Sequence, residues 1–211
     1  MFTGIIAALG RIVETRALGS TQQDGLRLRI DAGTLALDDV LLGDSIAIQG
    51  ACMTVIAVDA PYFEVDVSRE SLNRTCGLAE PAPVNLEKAM RLADRLGGHL
   101  VSGHVDGLGE VVHFEPIGES WRLVVALPAG MEKFVAYKGS ITVNGVSLTI
   151  NLVRDGAEAC EIEINLIPHT LQHTTLQYLQ KGSTVNLEID LIARYCERML
   201  SRTAFEMRAQ S

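Results

Sequence analysis

The feature that most constrains this chain is an internal duplication. Thr3-Gly4-Ile5-Ile6-Ala7-Ala8-Leu9-Gly10-Arg11-Ile12-Val13 reads against Ser102-Gly103-His104-Val105-Asp106-Gly107-Leu108-Gly109-Glu110-Val111-Val112. Ser45-Ile46-Ala47-Ile48-Gln49-Gly50-Ala51-Cys52-Met53-Thr54-Val55 reads against Ser140-Ile141-Thr142-Val143-Asn144-Gly145-Val146-Ser147-Leu148-Thr149-Ile150. Ser71-Leu72-Asn73-Arg74-Thr75 matches Thr170-Leu171-Gln172-His173-Thr174, and Val84-Asn85-Leu86-Glu87 recurs unchanged as Val185-Asn186-Leu187-Glu188. The numbering offsets are 99, 95, 99 and 101 in that order. A kept order at a nearly constant offset is the mark of a duplicated unit, and this one is domain-sized, beyond the ~20–50 residues of a solenoid repeat. Two domains of about 100 residues can each bury a core.

Each unit reads as β-structure. Leu26-Arg27-Leu28-Arg29-Ile30, Ser45-Ile46-Ala47-Ile48 and Phe63-Glu64-Val65-Asp66-Val67 alternate or run apolar over short lengths, with Met53-Thr54-Val55-Ile56-Ala57-Val58 between them. Asp24-Gly25, Gly43-Asp44 and Asp59-Ala60-Pro61 punctuate the runs. Short strands at this spacing predict an antiparallel barrel or sandwich. Residues 86–96 break the series: Leu86, Met90 (or Ala89), Ala93 and Leu96 fall near one helical face, and Gly97-Gly98 would stop the helix, with a shorter helix left open because Glu87 and Lys88 also fit a strand. After Asp190, Leu191, Ile192, Tyr195, Cys196, Met199 and Leu200 form an apolar helical stripe that must be covered, by the chain's own barrels or by other subunits, and self-association is the expected answer.

Composition excludes several classes. The formal net charge of −8 disfavours a nucleic-acid partner. No apolar run reaches the ~20 residues of a membrane helix, and the N-terminal residues carry no secretory pattern, so a cytoplasmic protein with no membrane role is expected. Cys52, Cys76, Cys160 and Cys196 form no CxxC pair, which argues against structural zinc; three are read as packing residues and Cys52 is set apart.

The two copies differ where chemistry would show: Ile5 stands against His104, and Cys52 against Ser147. Imidazole exchanges protons near neutral pH, so His104 is the first catalytic candidate. His99, just ahead of the strand, reads as structural. A thiolate at Cys52 can attack an electrophilic ring carbon, or the thiol can simply line a pocket. Thr54 and Thr149, and further on Ser71 and Thr170, are recurring hydroxyls able to bond a polar ligand.

Together, Met1-Phe2-Thr3-Gly4-Ile5, Gly50-Ala51-Cys52-Met53-Thr54-Val55, Gly97 through Val105, Tyr137-Lys138-Gly139, Asn144 through Thr149, Ile167-Pro168-His169-Thr170-Leu171 and Val185 through Asp190 resemble riboflavin synthase of the α-chain type, built from two lumazine-binding repeats. The resemblance spans both repeats. It implies an all-β fold of two similar six-stranded Greek-key β-barrels in tandem plus a C-terminal α-helix, divided as 1–97, 98–189 and 190–211. It also implies a homotrimer held largely by that helix. The implied reaction transfers a four-carbon unit between two molecules of 6,7-dimethyl-8-ribityllumazine, giving riboflavin and a ribitylamino-pyrimidinedione. No cofactor or metal takes part, and an association with lumazine synthase is raised.

Residue by residue, the resemblance carries catalysis onto His104, Ser147 and Cys52. Ser147 would act with His104 in proton transfer or orient a water. Substrate binding falls to Phe2, Thr3, Gly4, Ile5, Cys52, Thr54, Ser71, Gly103, His104, Val105, Lys138, Ser147, Thr149, Thr170 and Asp190. Phe2 would cover a substrate ring. Lys138 would neutralise an anionic adduct or simply sit in a solvated turn, and Asp190 would serve the site or cap the last helix. Two departures are visible: Ser71 follows Glu70 where the family more often has Thr, and Asn144 stands where family members carry Asp.

Overall fold

The computed structural model describes residues 1–21, 23–157 and 159–209, with side chains of the last helix described through residue 202. Fifteen named elements follow in order. The first unit holds β1 (Ala8–Ala17), β2 (Leu26–Asp31), β3 (Ser45–Ile48), β4 (Ala51–Asp59), β5 (Tyr62–Val67), α1 (Arg69–Arg74) and β6 (Pro83–Lys88). The second holds β7 (Gly107–Ile117), β8 (Ser120–Ala126), β9 (Ser140–Val143), β10 (Val146–Asp155), β11 (Cys160–Leu166), α2 (Pro168–Gln172) and β12 (Thr184–Ile189), and α3 (Leu191–Ala209) follows.

Six strands close each barrel, in the orders β1-β2-β5-β4-β3-β6 and β10-β11-β8-β7-β12-β9. Read from β7, the second order is β7-β8-β11-β10-β9-β12, the same circuit as the first. The tandem barrels and the terminal helix are those expected of the sequence. Each barrel is filled by its inward-facing alternate residues: Ile12, Leu28, Ile30, Ile46, Phe63 and Leu86 in one, Val111, Leu123, Ile141, Ile150, Ile162 and Leu187 in the other. Burying each such side chain contributes about 1.5–3 kcal/mol, so closure rather than hairpin strength holds the barrels.

The helix expected over residues 86–96 does not form. Leu86 and Glu87 belong to β6, which pairs with both β1 and β3 and so closes the barrel. Leu86 is fully buried there, whereas Leu92 is fully exposed and Leu96 half-exposed. Beyond Lys88 only a turn remains, with Asp94 N–H bonded to the Arg91 carbonyl at 3.1 Å. Two ladders of hydrogen bonds plus core burial outweigh a weak local helical preference.

The barrels meet through contacts that residues equivalent in the repeat make reciprocally. The β3–β4 and β9–β10 hairpins turn on Gln49-Gly50 and Asn144-Gly145, all four at positive φ, the requirement of a two-residue type I′ turn. These turns touch: a Cβ on Gly50 would lie 2.7 Å from Gly145 N, so no side chain fits there. Around them the hydrogen bonds are reciprocal. Asn85 Nδ2 donates to the Asn144 carbonyl and Asn186 Nδ2 to the Gln49 carbonyl, each at 2.9 Å. The Asn85 side-chain oxygen accepts from Thr175 N–H at 2.7 Å, and that of Asn186 from Cys76 N–H at 2.8 Å. Phe2 and Val101, equivalent in the repeat, pair antiparallel, N–H to carbonyl at 2.7 and 3.1 Å.

The cysteines are all free thiols. Cys160 sits in the second core, where burial is the main cause pushing its thiol up to about 11. Cys76 is half-buried with Sγ 3.4 Å from the Thr184 carbonyl oxygen. Cys196 is exposed on α3, so the packing role expected for three cysteines does not extend to it.

Candidate active site

β4 and β10 begin with the same alternation of buried and outward-facing residues. Strand pleating therefore turns Cys52 and Thr54 out of the first barrel, and Ser147 and Thr149 out of the second. Cys52 and Ser147 are half-buried, and Thr54 and Thr149 exposed. Each pair is a small polar ledge on a barrel wall, of the kind that can meet the edge of a planar heterocycle. On the second ledge the row continues to Asn151, whose side-chain oxygen accepts from Lys138 Nζ at 2.9 Å. Lys138 is exposed, so its ammonium borders the ledge from solvent.

Segments 2–6 and 101–105 act as straps across the barrels. The Gly4 carbonyl accepts the Ser147 N–H at 2.7 Å, and the Gly103 carbonyl accepts the Cys52 N–H at 2.8 Å. Ile6, at the start of the chain, packs against the second core, while Val105 packs against the first. Each strap thus lies on the barrel it does not belong to by sequence order. Ile5 and His104 occupy equivalent exposed positions on them. Phe2 is fully buried with Ala47 and Val101, with Cys52 packed against that cluster. Its ring thus packs beside Cys52 at the base of that ledge.

The structure pairs Ser147 with His99 and not with His104. His99 Nδ1 lies 2.8 Å from Ser147 Oγ, and His99 is 8% exposed. Burial pushes its imidazole below the usual histidine range, opposed by the nearby Asp190 carboxylate. A neutral imidazole against a hydroxyl is an arrangement that can pass a proton. His99 Nε2 is buried without a protein partner, which marks this side chain as more than a backbone cap. Among the described residues His104 is held by its backbone, its N–H 3.0 Å from Glu188 Oε2.

Other candidates already have structural bonds. Asp190 Oδ1 accepts Ile192 N–H at 2.9 Å, capping α3. Ser71 Oγ lies 2.9 Å from Ser68 Oγ at the start of α1. Thr170 is half-buried in α2. The Thr3 hydroxyl donates to Glu87 Oε1 at 2.7 Å. A cleft of about 540 Å³ beside Asp39, Lys88 and Arg91 takes in neither Cys52 and Thr54 nor Ser147 and Thr149. In a single chain each ledge is exposed at its threonine and half-buried at Cys52 or Ser147.

A family model for the lumazine binding domain matches this chain twice, over residues 3–89 and 102–190. The tandem barrels, each with its ledge, are thus a pair of lumazine-binding domains. Riboflavin synthase of Mycobacterium tuberculosis (strain ATCC 25618 / H37Rv) is 44% identical over 206 residues, covering 95% of this chain and 98% of that protein. Riboflavin synthase of Photobacterium phosphoreum is 42% identical over 206 residues, covering 95% and 89%. The chain belongs to the riboflavin synthase family. Among solved structures, LumP complexed with riboflavin superposes with a TM-score of 0.76 at 25% identity, over 90% of this chain and 99% of that one.

Proposed function

We propose that this protein is a riboflavin synthase that converts two molecules of 6,7-dimethyl-8-ribityllumazine into riboflavin and 5-amino-6-(D-ribitylamino)uracil. The observation that carries the reading is the pair of equivalent ledges on two lumazine-binding domains, bearing different reactive groups: Cys52 on one, and Ser147 with His99 on the other. Two like substrates need two like seats, and a transfer between them needs the seats to differ. One lumazine gives up four carbons and the other receives them. The 7-methyl proton is removed first, because its anion is delocalised into the ring. In this reading Thr54 and Thr149 bond the ring edges or ribityl chains. Ser147 and His99 move protons on one seat, His104 reaches the reacting ring from its exposed strap, and Lys138 balances developing negative charge.

The exposure of Thr54 and Thr149 on a single chain supports a site closed by another subunit. The apolar face of α3 supports the same assembly, with Ile192, Tyr195 and Leu200 each more than 60% exposed. A homotrimer joined through α3 would cover that face and bring a first barrel to a second barrel. The circuit shared by both barrels supports the Greek-key reading, and the chain divides as 1–97, 98–189 and 190–211. Free thiols throughout support a cytoplasmic setting. No helix among the described residues is long and apolar enough to cross a membrane. An association with lumazine synthase belongs to the same reading.

The likeness to LumP favours one second reading, a protein that holds a lumazine or flavin without reacting it. One assay separates the two. Purified full-length chain given the lumazine alone is expected to form riboflavin, consuming two lumazines for each product. Tight binding without turnover would assign the chain to the carriers.

A further inference from the structure

The one block that recurs without a change, Val84-Asn85-Leu86-Glu87 and Val185-Asn186-Leu187-Glu188, ends in a glutamate that no step above uses. Both glutamates are more than nine-tenths buried. Glu87 Oε1 accepts the Thr3 N–H and hydroxyl, each at 2.7 Å, and Oε2 accepts the Gly4 N–H at 3.0 Å. Glu188 Oε1 accepts the Ser102 N–H at 2.7 Å and its hydroxyl at 2.6 Å. Glu188 Oε2 accepts the N–H groups of Gly103 and His104 at 2.9 and 3.0 Å. The backbone N–H groups in these two sets donate to both oxygens of each glutamate and the hydroxyls add a further bond, a pattern that suits a carboxylate. Burial raises both carboxyls, and the hydrogen bonds to the straps oppose that shift.

The gripped residues are the ones that touch the opposite ledge. Glu87 stands on β6 of the first barrel and holds Gly4, whose carbonyl receives Ser147 of the second. Glu188 stands on β12 of the second barrel and holds Gly103, whose carbonyl receives Cys52 of the first. The contact is close at both places: a Cβ on Gly4 would lie 2.6 Å from Ser147 Cβ, and one on Gly103 would lie 2.7 Å from Cys52 Cβ. Both glycines have positive φ, so neither strap tolerates a side chain there.

We propose that Glu87 and Glu188 are positioning residues that couple the two ledges crosswise, each fixing, through its strap, the reactive group on the other barrel. The carboxylate sets where the glycine carbonyl lies, and the carbonyl sets the first outward residue of the opposing strand. Glu188 also sets the backbone of His104. The crossing itself follows from geometry alone; only its consequence for turnover rests on the lumazine reading.

The test reads the geometry without turnover. In the full-length chain, iodoacetamide alkylation is followed cysteine by cysteine by peptide mass spectrometry, with buried Cys160 reporting general loosening. Glu188→Gln places an amide NH₂ against N–H donors and is expected to speed Cys52 alkylation at least ~5-fold with Cys160 unchanged. Glu87→Gln, though on the same barrel as Cys52, is expected to leave Cys52 within ~2-fold, because Phe2 keeps its own pairing with Val101. In a Ser147→Cys background the order inverts, with Glu87→Gln exposing the new thiol and Glu188→Gln sparing it. If Glu188→Gln or Glu87→Gln does not fold, Ser102→Ala and Thr3→Ala each remove one hydroxyl bond and are expected to give the same crossed order at smaller size.

In turnover, Glu188→Gln is expected to lower kcat at least ~10-fold with KM changed less than ~3-fold. Same-barrel effects, equal effects at both thiols, or a parallel rise at Cys160 would overturn the crossing. An intact crossed pattern with no change in kcat would overturn the catalytic consequence alone. A wild-type chain that shows the crossed pattern in its variants yet never turns over lumazine would overturn the reading of function and leave the crossing standing.

Discussion

Asn85→Ala tests whether the barrels are bonded to each other or merely adjacent. Asn85 is 1% exposed on β6 of the first barrel, and both of its side-chain partners belong to the second. Truncation leaves the Asn144 carbonyl and the Thr175 N–H unpaired, and both residues are buried. Each orphaned buried group costs about 1–3 kcal/mol, so the pair predicts a loss of about 2–6 kcal/mol, a large part of the ~5–15 kcal/mol that holds a typical protein. The assay is equilibrium urea unfolding at fixed chain concentration. It is followed by far-ultraviolet circular dichroism and by emission from Trp121, the only tryptophan, which lies on β8 of the second barrel. With m near the upper end of ~1–3 kcal/mol/M, the midpoint should fall by roughly 1–2 M urea. The Trp121 signal should move with it, although the substitution is in the other barrel. A shift below ~0.3 M, or one that leaves Trp121 emission in place, would refute the reasoning.

Two further outcomes are expected. His99 is held below its usual pKa by burial, so between that lowered value and about pH 6.5 the unfolded chain binds a proton that the folded chain does not. Stability therefore falls as pH falls through this window, by at most about 1.4 kcal/mol per pH unit, and His99→Gln should remove that part of the slope when compared with the parent by urea titration at pH 7 and pH 5. Ending the chain after Asp190 deletes the exposed face of α3 and is expected to dissociate the proposed homotrimer, measured by light scattering on a sizing column, and to lower turnover sharply; an undiminished oligomer would refute a seam at α3.

Much of the fold was legible because barrel strands write their burial into the sequence. Leu26 through Ile30 and Phe63 through Val67 alternate as their pleats do, and Asp59-Ala60-Pro61 marks the turn between β4 and β5. β6 was misread because its apolar residues continue at helical spacing into residues 89–96, and only its two ladder partners, distant in sequence, reveal it as a strand. The ledges were readable from the repeat, since Cys52 and Ser147 fall at one position of one motif. The partner of Ser147 was not. His99 and His104 are both near the same glycines in sequence, and which one reaches Ser147 depends on how the straps cross. That crossing is fixed by the pairing of Phe2 with Val101 and by buried carboxylates whose only sequence signal was an unchanged repeat.

The reciprocity of Asn85 and Asn186 also carries a history. Residue i meeting j while j meets i is the pattern of an isologous dimer, in which one surface is its own complement. A single-barrel ancestor pairing with its copy through Asn and a Gly turn would already have owned these reciprocal bonds. Fusing two genes would then have required only a linker, here residues 89–100, turning a concentration-dependent encounter into a tethered one without redesigning the interface. Once joined, the copies were free to drift apart one residue at a time, and a thiol on one side could face a serine on the other without either losing its partner.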